Sequence, residues 1–206
     1  DDSRSRFTGV AVNAAGGVIV TGYASGTMYA SSLGASDIVL AEYDASSGEQ
    51  KWGLQCCTAG AEFAEDVAVH GNASVVVVGE SSSTDFSDVV RTPHQSSQLG
   101  GEFIAFVRSF TGVGGTDWTE AWTFTLHTDE GAAGGLGSGR DCYMTSVATD
   151  SRGDVIAAGH TSGTLSKRGL DLATVGGDSA RRRRTRATED GYHGLPKNHF
   201  LSMSIH

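Results

Sequence analysis

The chain has 206 residues, of which 38% are hydrophobic and 19% charged, and this composition indicates a globular protein rather than a disordered one. Its formal net charge of −9 argues against a nucleic-acid partner, because phosphate binding depends on clustered Lys and Arg. No apolar run approaches the roughly 20 residues that span a bilayer, so we expect no membrane span. The 29 glycines predict many tight turns between short strands, which is typical of an all-β fold.

The first group of predicted elements lies in residues 1–56. Two apolar strands, one around Val10 and one ending at Gly22, are separated by the turn sequence Asn13–Gly16. A third strand follows at Asp37–Tyr43, and a fourth carries Trp52. The pattern predicts one unit of four short antiparallel strands.

Residues 57–140 repeat this order. The strand around Val67 and the strand ending at Gly79 form the next hairpin, and Glu102–Val107 is the predicted third strand. A fourth strand carries Trp122 and is followed by a Gly-rich insert. We predict a second four-stranded unit of the same kind.

Residues 141–206 contain a partial third unit. Its hairpin includes Val147 and closes at Gly159, and its third strand begins at His199. The chain stops before a fourth strand. The intervening insert, at about 164–197, carries the run Arg181–Arg184 and is predicted to be disordered, because like charges repel and offer no apolar surface to bury. A proprotein-cleavage site, a nuclear signal and an anion-binding tag are the functional alternatives for this run.

The three hairpins share one spacing. Twelve positions separate Val10 from Gly22, Val67 from Gly79 and Val147 from Gly159. A constant spacing predicts a constant hairpin, and the closing glycine either releases the chain from the sheet or lets a backbone pass close by.

A unit of four short antiparallel strands is the content of one β-propeller blade. The sequence therefore predicts a single all-β domain made of three four-stranded antiparallel blades of an incomplete or open propeller. Three blades are too few to close a ring, so we expect a fragment of a longer propeller, with further blades supplied by the same or another chain.

The longest insertions fall between the second and third strands and between units, and both kinds of connection leave a blade on the same side. The face that accepts insertions is often the binding face of a repeat fold. We therefore predict partner-binding loops that include Tyr29, Phe86 and His94.

The second unit resembles the SBBP-type β-propeller repeat. The resemblance is carried by the valine-rich hairpin closing at Gly79, by Ser82–Phe86 and by Gly100–Val107. The first unit is similar through Gly34, Asp37–Val39 and the turn before Trp52, whereas Glu102 and His199 stand where the family usually shows Asp. The resemblance implies a propeller that is often extracellular or on the cell surface, with no shared enzymatic activity.

Asp44–Trp52 is also similar to the Asp-Ala-x-x-Gly-x-x-x-Trp tag of quinoprotein dehydrogenase propellers, in which the tryptophan packs between blades and marks no active site. We accordingly predict that Trp52, Trp118 and Trp122 are packing residues with locally bonded indole N–H groups.

No motif predicts catalytic, cofactor-binding or metal-binding residues. The glycine clusters lack the Rossmann spacing and the phosphate-binding Lys-Ser/Thr, no Gly-x-Ser-x-Gly elbow occurs, and the seven histidines form no ligand pair. Asn72 begins a glycosylation sequon on a predicted hairpin tip.

The three cysteines do not form a disulfide framework. Cys56 and Cys57 are adjacent, and a disulfide across one peptide link is strained. We predict structural thiols at Cys56, Cys57 and Cys142, with a bond from one of the pair to Cys142 as the alternative.

These observations favour a non-enzymatic β-propeller repeat module that binds or scaffolds a protein or a glycan and needs no cofactor. The alternative is a fragment of a propeller enzyme, either a quinoprotein-like oxidoreductase or a glycan-active enzyme, whose polar groups converge at the ring centre.

Overall fold

The computed structural model describes residues 4–71, 74–83, 103–113, 117–126, 142–161, 170–174, 185–190 and 199–205, and these residues form an all-β structure without a helix. The strands are β1 (Ser5–Val12), β2 (Val18–Ala24), β3 (Asp37–Tyr43), β4 (Gln50–Cys56), β5 (Glu62–His70), β6 (Ser74–Ser81), β7 (Ile104–Val113), β8 (Asp117–Leu126), β9 (Cys142–Thr149), β10 (Val155–Thr161), β11 (Leu170–Thr174), β12 (Thr185–Asp190) and β13 (His199–Ile205).

The strands form three antiparallel sheets. Sheet 1 has the order β1-β2-β3-β4, sheet 2 the order β11-β8-β7-β6-β5, and sheet 3 the order β12-β13-β10-β9. In sheet 1 the strands β1 to β4, and in sheet 2 the strands β5 to β8, lie side by side in chain order. Short connections between neighbouring antiparallel strands favour this order.

Two strands lie within the stretch of about 164–197 for which a disordered insert is predicted, whereas the run Arg181–Arg184 lies outside the described residues. Leu170–Thr174 pairs with β8 at the edge of sheet 2, and Thr185–Asp190 pairs with β13 as the fourth strand of sheet 3. β12 precedes β13 in the chain, so it is not the fourth strand that would follow the third strand of this unit, and no described strand follows β13. The edges of β8 and β13 would otherwise expose rows of unpaired N–H and C=O groups, and these segments satisfy them.

The three hairpins have the same register, as their constant spacing predicts. Val10 pairs with Val20, Val67 with Val77 and Val147 with Ala157, so each first-strand valine lies opposite a residue ten positions later. The constant distance between the valine and the glycine in the sequence therefore reflects the same pairing of the two strands in all three hairpins.

Each hairpin also contains a β-bulge at the same place, where one residue of the first strand has no partner: Thr8, Glu65 or Thr145. The closing glycine lies beside it. A Cβ on Gly22, Gly79 or Gly159 would overlap the carbonyl oxygen of the residue that precedes the glycine's ladder partner, which is Arg6, Phe63 or Tyr143 respectively. The glycine is thus required because it lets a backbone pass close by, which is the second of the two roles expected for it.

The turns of the first and third hairpins share one geometry. The Asn13 side-chain oxygen accepts the N–H groups of Ala15 and Gly17, and the Asp150 carboxylate accepts those of Arg152 and Asp154. Asn and Asp favour such turns because their short side chains can cap nearby backbone donors. The pKa of the Asp150 carboxyl is lowered, chiefly by the Asp154 backbone N–H and also by the Arg152 guanidinium.

The core lies between the sheets, in two layers. One layer joins sheets 1 and 2 through Ile19, Ile38, Leu40 and Trp52 on one side and Val67, Val75, Val77 and Phe106 on the other. The second joins sheets 2 and 3 through Ala68, Val76, Val78, Trp122 and Phe124 on one side and Met144, Val147, Val155 and Ala157 on the other. Both faces of sheet 2 are therefore covered.

The tryptophans of the fourth strands lie in these layers. Trp52 packs against Trp118 of sheet 2 with ring centroids 4.3 Å apart, and its indole N–H donates to Glu42 at 2.7 Å. The Trp118 indole N–H is buried without a hydrogen-bond partner among the described residues, so the predicted local bond is wrong for this residue. Trp122 is buried in the layer against sheet 3. The two equivalent tryptophans each face the next sheet along the chain.

Hydrogen bonds along the first strands of the units tie the sheets together. The Thr8 hydroxyl donates to the Ala64 carbonyl at 2.6 Å between sheets 1 and 2. Between sheets 2 and 3, the Asp66 carboxylate accepts the Val147 N–H at 2.9 Å, and the Thr149 hydroxyl donates to the Val69 carbonyl at 2.7 Å. The strands β1, β5 and β9 thus run side by side.

Candidate functional site

The long connections leave each sheet at one end. This end, where the first strand begins, the second ends and the third begins, is called the long-loop rim below. In sheet 1 it carries the loop 25–36, which runs from β2 to β3, and the link from β4 to β5. In sheets 2 and 3 the corresponding long connections lie largely outside the described residues.

The loop 25–36 is fixed by two buried side chains of sheet 1. The Gln55 amide oxygen accepts the N–H groups of Met28 and Tyr29 at 2.8 and 3.1 Å, while its amide nitrogen donates to Asp37 at 2.8 Å. The Asp37 carboxylate in turn accepts the N–H groups of Leu33 and Gly34. A buried carboxylate needs such donors, so Asp37 and Gln55 have a clear structural role.

Tyr29, one of the predicted partner-binding residues, packs against its own sheet. Its ring lies close to Gly53, where a Cβ would stand 2.5 Å from the ring, and its hydroxyl lies 2.8 Å from the Tyr43 hydroxyl. Burial raises the pKa of Tyr29, and the hydrogen bond with Tyr43 raises it further. Phe86, His94 and Asn72 lie outside the described residues.

A row of aromatic rings crosses all three sheets at the long-loop rim. Its centroid separations are 4.9 Å for Tyr23 to Phe63, 6.0 Å for Phe63 to Phe103, 6.4 Å for Phe103 to Tyr143 and 4.7 Å for Tyr143 to His160. All five residues are partly exposed. Tyr and His rings carry polar tips on apolar bodies, so the row is an amphipathic surface.

The repeat explains how these rings meet. Phe63 and Tyr143 each stand four residues before the first-strand valine of their unit, and Tyr23 and His160 each follow the closing glycine. The bulge and the glycine bring these two positions opposite one another, since Phe63 pairs with Glu80 and Tyr143 with His160. The row is not predicted from the sequence, because each of these two positions is aromatic or His in only two of the three units: Arg6 and Glu80 are the exceptions.

Charged groups lie beside the row. Glu65, the bulged residue of β5, has a pKa raised by burial and lowered to a smaller degree by the positive charge of Arg6. Glu62, at the start of β5, is fully buried and accepts hydrogen bonds from the Thr58 backbone N–H at 3.0 Å and the Ser81 hydroxyl at 3.0 Å. Glu62 therefore secures the β4–β5 link that follows Cys57.

The cysteines differ from the prediction of three thiols. Cys56 and Cys57 form a disulfide at the end of β4, next to the long-loop rim. Cys142 is a buried thiol in the layer between sheets 2 and 3. The alternative bond to Cys142 is also wrong, because the partner of each adjacent cysteine is its neighbour.

The described part of the chain contains no group of three or more His, Cys, Asp or Glu side chains arranged to hold a metal ion. None of its segments is a helix of the length and apolarity that a membrane span requires.

No family model matches the chain, and no curated protein matches its sequence.

Proposed function

We propose that the chain is a non-enzymatic β-propeller repeat module whose long-loop rim binds a glycan. The blade assignment is supported by the equal register, bulge and closing glycine of the three hairpins and by the face-to-face packing of their sheets. The resemblance of the second and first units to the SBBP-type repeat agrees with this assignment.

The aromatic row is the observation that carries the glycan proposal. The C–H face of a pyranose packs on aromatic carbon, and sugar hydroxyls bond to polar tips such as the Tyr23 and Tyr143 hydroxyls and the His160 imidazole. Two pairs of rings are stacked on each other, with interplanar angles of 25° and 27°, so a sugar would contact the exposed edges and outer faces of the row rather than the faces between rings. Binding of a glycan at such a surface requires no catalytic residue.

The proposal is tested with a panel of linear hexasaccharides of glucose, N-acetylglucosamine, mannose and galacturonic acid. Saturation-transfer NMR on the intact chain is expected to show at least one hexasaccharide in contact with aromatic protons. Phe63→Ala and Tyr143→Ala should each weaken that binding about two- to tenfold, because one aromatic contact typically contributes about 0.5–1.5 kcal/mol beyond its buried area.

Phe7→Ala is the matched control. Phe7 is a 43% exposed aromatic residue of β1 outside the row, so its removal should leave binding unchanged. Thermal unfolding of every variant separates lost binding from lost folding. Absence of binding to every sugar in the panel, or equal loss in the Phe7 variant, would contradict the proposal.

A further inference from the structure

The outer face of sheet 1 and the outer face of sheet 3 each carry residues at repeat positions that are buried between sheets elsewhere in the molecule. In sheet 2, Val67, Val75 and Val77 face sheet 1, whereas Ala68, Val76 and Val78 face sheet 3. Each unit therefore has a preceding face, which in sheet 2 packs on the sheet before it in the chain, and a following face, which packs on the sheet after it.

Sheet 1 exposes the β1–β2 half of its preceding face. The positions equivalent to Val67, Val69, Val75 and Val77 are Val10, Val12, Val18 and Val20. Val10 is 64% and Val12 63% exposed, and Val18 and Val20 are partly exposed, whereas Val67 is 3% and Val147 8% exposed. The loop 25–36 covers the β3–β4 half of this face: Tyr29 lies against Gly53, and Ala41, which pairs with Val20 and Gly53, is fully buried.

In sheet 3 the following face is exposed along β9 and β10. The positions equivalent to Ala68, Val76 and Val78 are Ala148, Ile156 and Ala158. All three are exposed, Ile156 to 43%. They keep the mixture of small and branched apolar residues found at the buried positions of sheet 2.

We propose that the following face of sheet 3 docks on the preceding face of sheet 1 in a second copy of this chain. The contact repeats the part of the internal interfaces formed by the first two strands of each unit, since β1 and β2 on one side and β9 and β10 on the other keep the residue positions used there. Apolar surface buried in this way stabilises association roughly in proportion to its area. Because the two faces differ, the interface is head-to-tail, and copies either close into a ring or extend as a filament.

Association of copies through these faces is independent of glycan binding, which uses the long-loop rim. Its test is sedimentation velocity of the intact chain over a wide concentration range. The average mass is expected to rise with concentration. Val10→Asp and Ala148→Asp should each weaken association about 100-fold or more, because each would bury an unpaired carboxylate.

Ala15→Asp is the control for added charge, since Ala15 lies exposed in the turn of the same hairpin as Val10. It should associate like the unchanged chain. Unaltered strand content in circular dichroism, measured on each variant, guards against misfolding as the cause of lost association.

Mixing the two Asp variants tests the head-to-tail arrangement. The Val10 variant keeps an intact following face, and the Ala148 variant keeps an intact preceding face, so the mixture should form a dimer that neither forms alone. A monomer at every concentration, unaltered association in both variants, or a mixture that stays monomeric would each overturn the proposal.

Discussion

Val10 and Val67 occupy the same position in two copies of one hairpin, yet their environments are opposite. Val10 is 64% exposed on the outer face of sheet 1, and Val67 is 3% exposed between sheets 1 and 2. Their backbones have the same pairing, the same neighbouring bulge and the same closing glycine. Hairpin geometry is thus encoded within each unit, whereas burial depends on whether another sheet lies against it.

The largest effect is expected at the closing glycines, where the constraint belongs to the hairpin itself. Gly79→Ala and Gly22→Ala should each lower the free energy of unfolding by about 3 kcal/mol or more, because the new Cβ overlaps a carbonyl oxygen of the neighbouring strand. Gly79 should cost more, since the Phe106 ring also lies 2.9 Å from the Cβ position. Urea unfolding measures both, and a stable Gly22 variant would show that the close approach is not required.

The valine pair should show a smaller but sharply different effect. Val67→Ala removes buried methyl groups from the layer between sheets 1 and 2 and should cost about 2 kcal/mol. Val10→Ala, measured on the monomer, should change stability by less than about 0.5 kcal/mol, as is usual for an exposed side chain. Equal losses in the same denaturation assay would argue that sheet 1 is covered in solution.

The hydrogen bond between Asp66 of sheet 2 and Val147 of sheet 3 allows a polar contact between sheets to be tested in the same way. Asp66→Ala leaves the Val147 N–H without its acceptor and removes a bond to the Ser146 hydroxyl, so we expect a loss of about 1–2 kcal/mol. Asp66→Asn keeps a side-chain oxygen and should lose less. At the equivalent position of sheet 1 stands Gly9, which has no side chain to make this link. An Asn variant as unstable as the Ala variant would show that charge, not the acceptor, matters.

The smallest effect concerns acid sensitivity of the two similar turns. The pKa of Asp150 is lowered from its ordinary value of 3.8, so its contribution to stability is complete above that value and is lost as the pH falls through the lowered pKa. Asp150→Asn should make the melting temperature less dependent on pH in this acidic range, with little change at neutral pH, because Asn13 caps the equivalent turn. Asn13→Asp should have the reverse effect. An unchanged pH slope in both variants would contradict this account of the turns.

The sequence predicts the hairpins well because their signals are local. Valine alternation, a turn residue and a glycine at fixed distance determine strand, register and bulge within a few residues. The burial of Trp52 and Trp122 also agrees with the packing expected of them. Both features depend on side-chain chemistry that a single unit displays.

Features that depend on distant partners were not predicted. Strands β11 and β12 form because the edges of β8 and β13 offer hydrogen-bonding groups, and their own segments give a weak strand signal. The position of Tyr29 depends on the space above Gly53, and the aromatic row forms only when three sheets are stacked. Expectations for Phe86, His94 and Asn72 stay predictions.

The central claim, that equivalent valines are exposed or buried only according to the neighbouring sheet, is tested most directly by thiol labelling. Val10, Val67 and Val147 are replaced one at a time by Cys, and each variant is treated with a thiol reagent under native conditions at a concentration where the chain is monomeric. The account predicts rapid labelling at position 10 and strong protection at positions 67 and 147, with equal labelling of all three after unfolding. Equal native labelling rates at the three positions would contradict it.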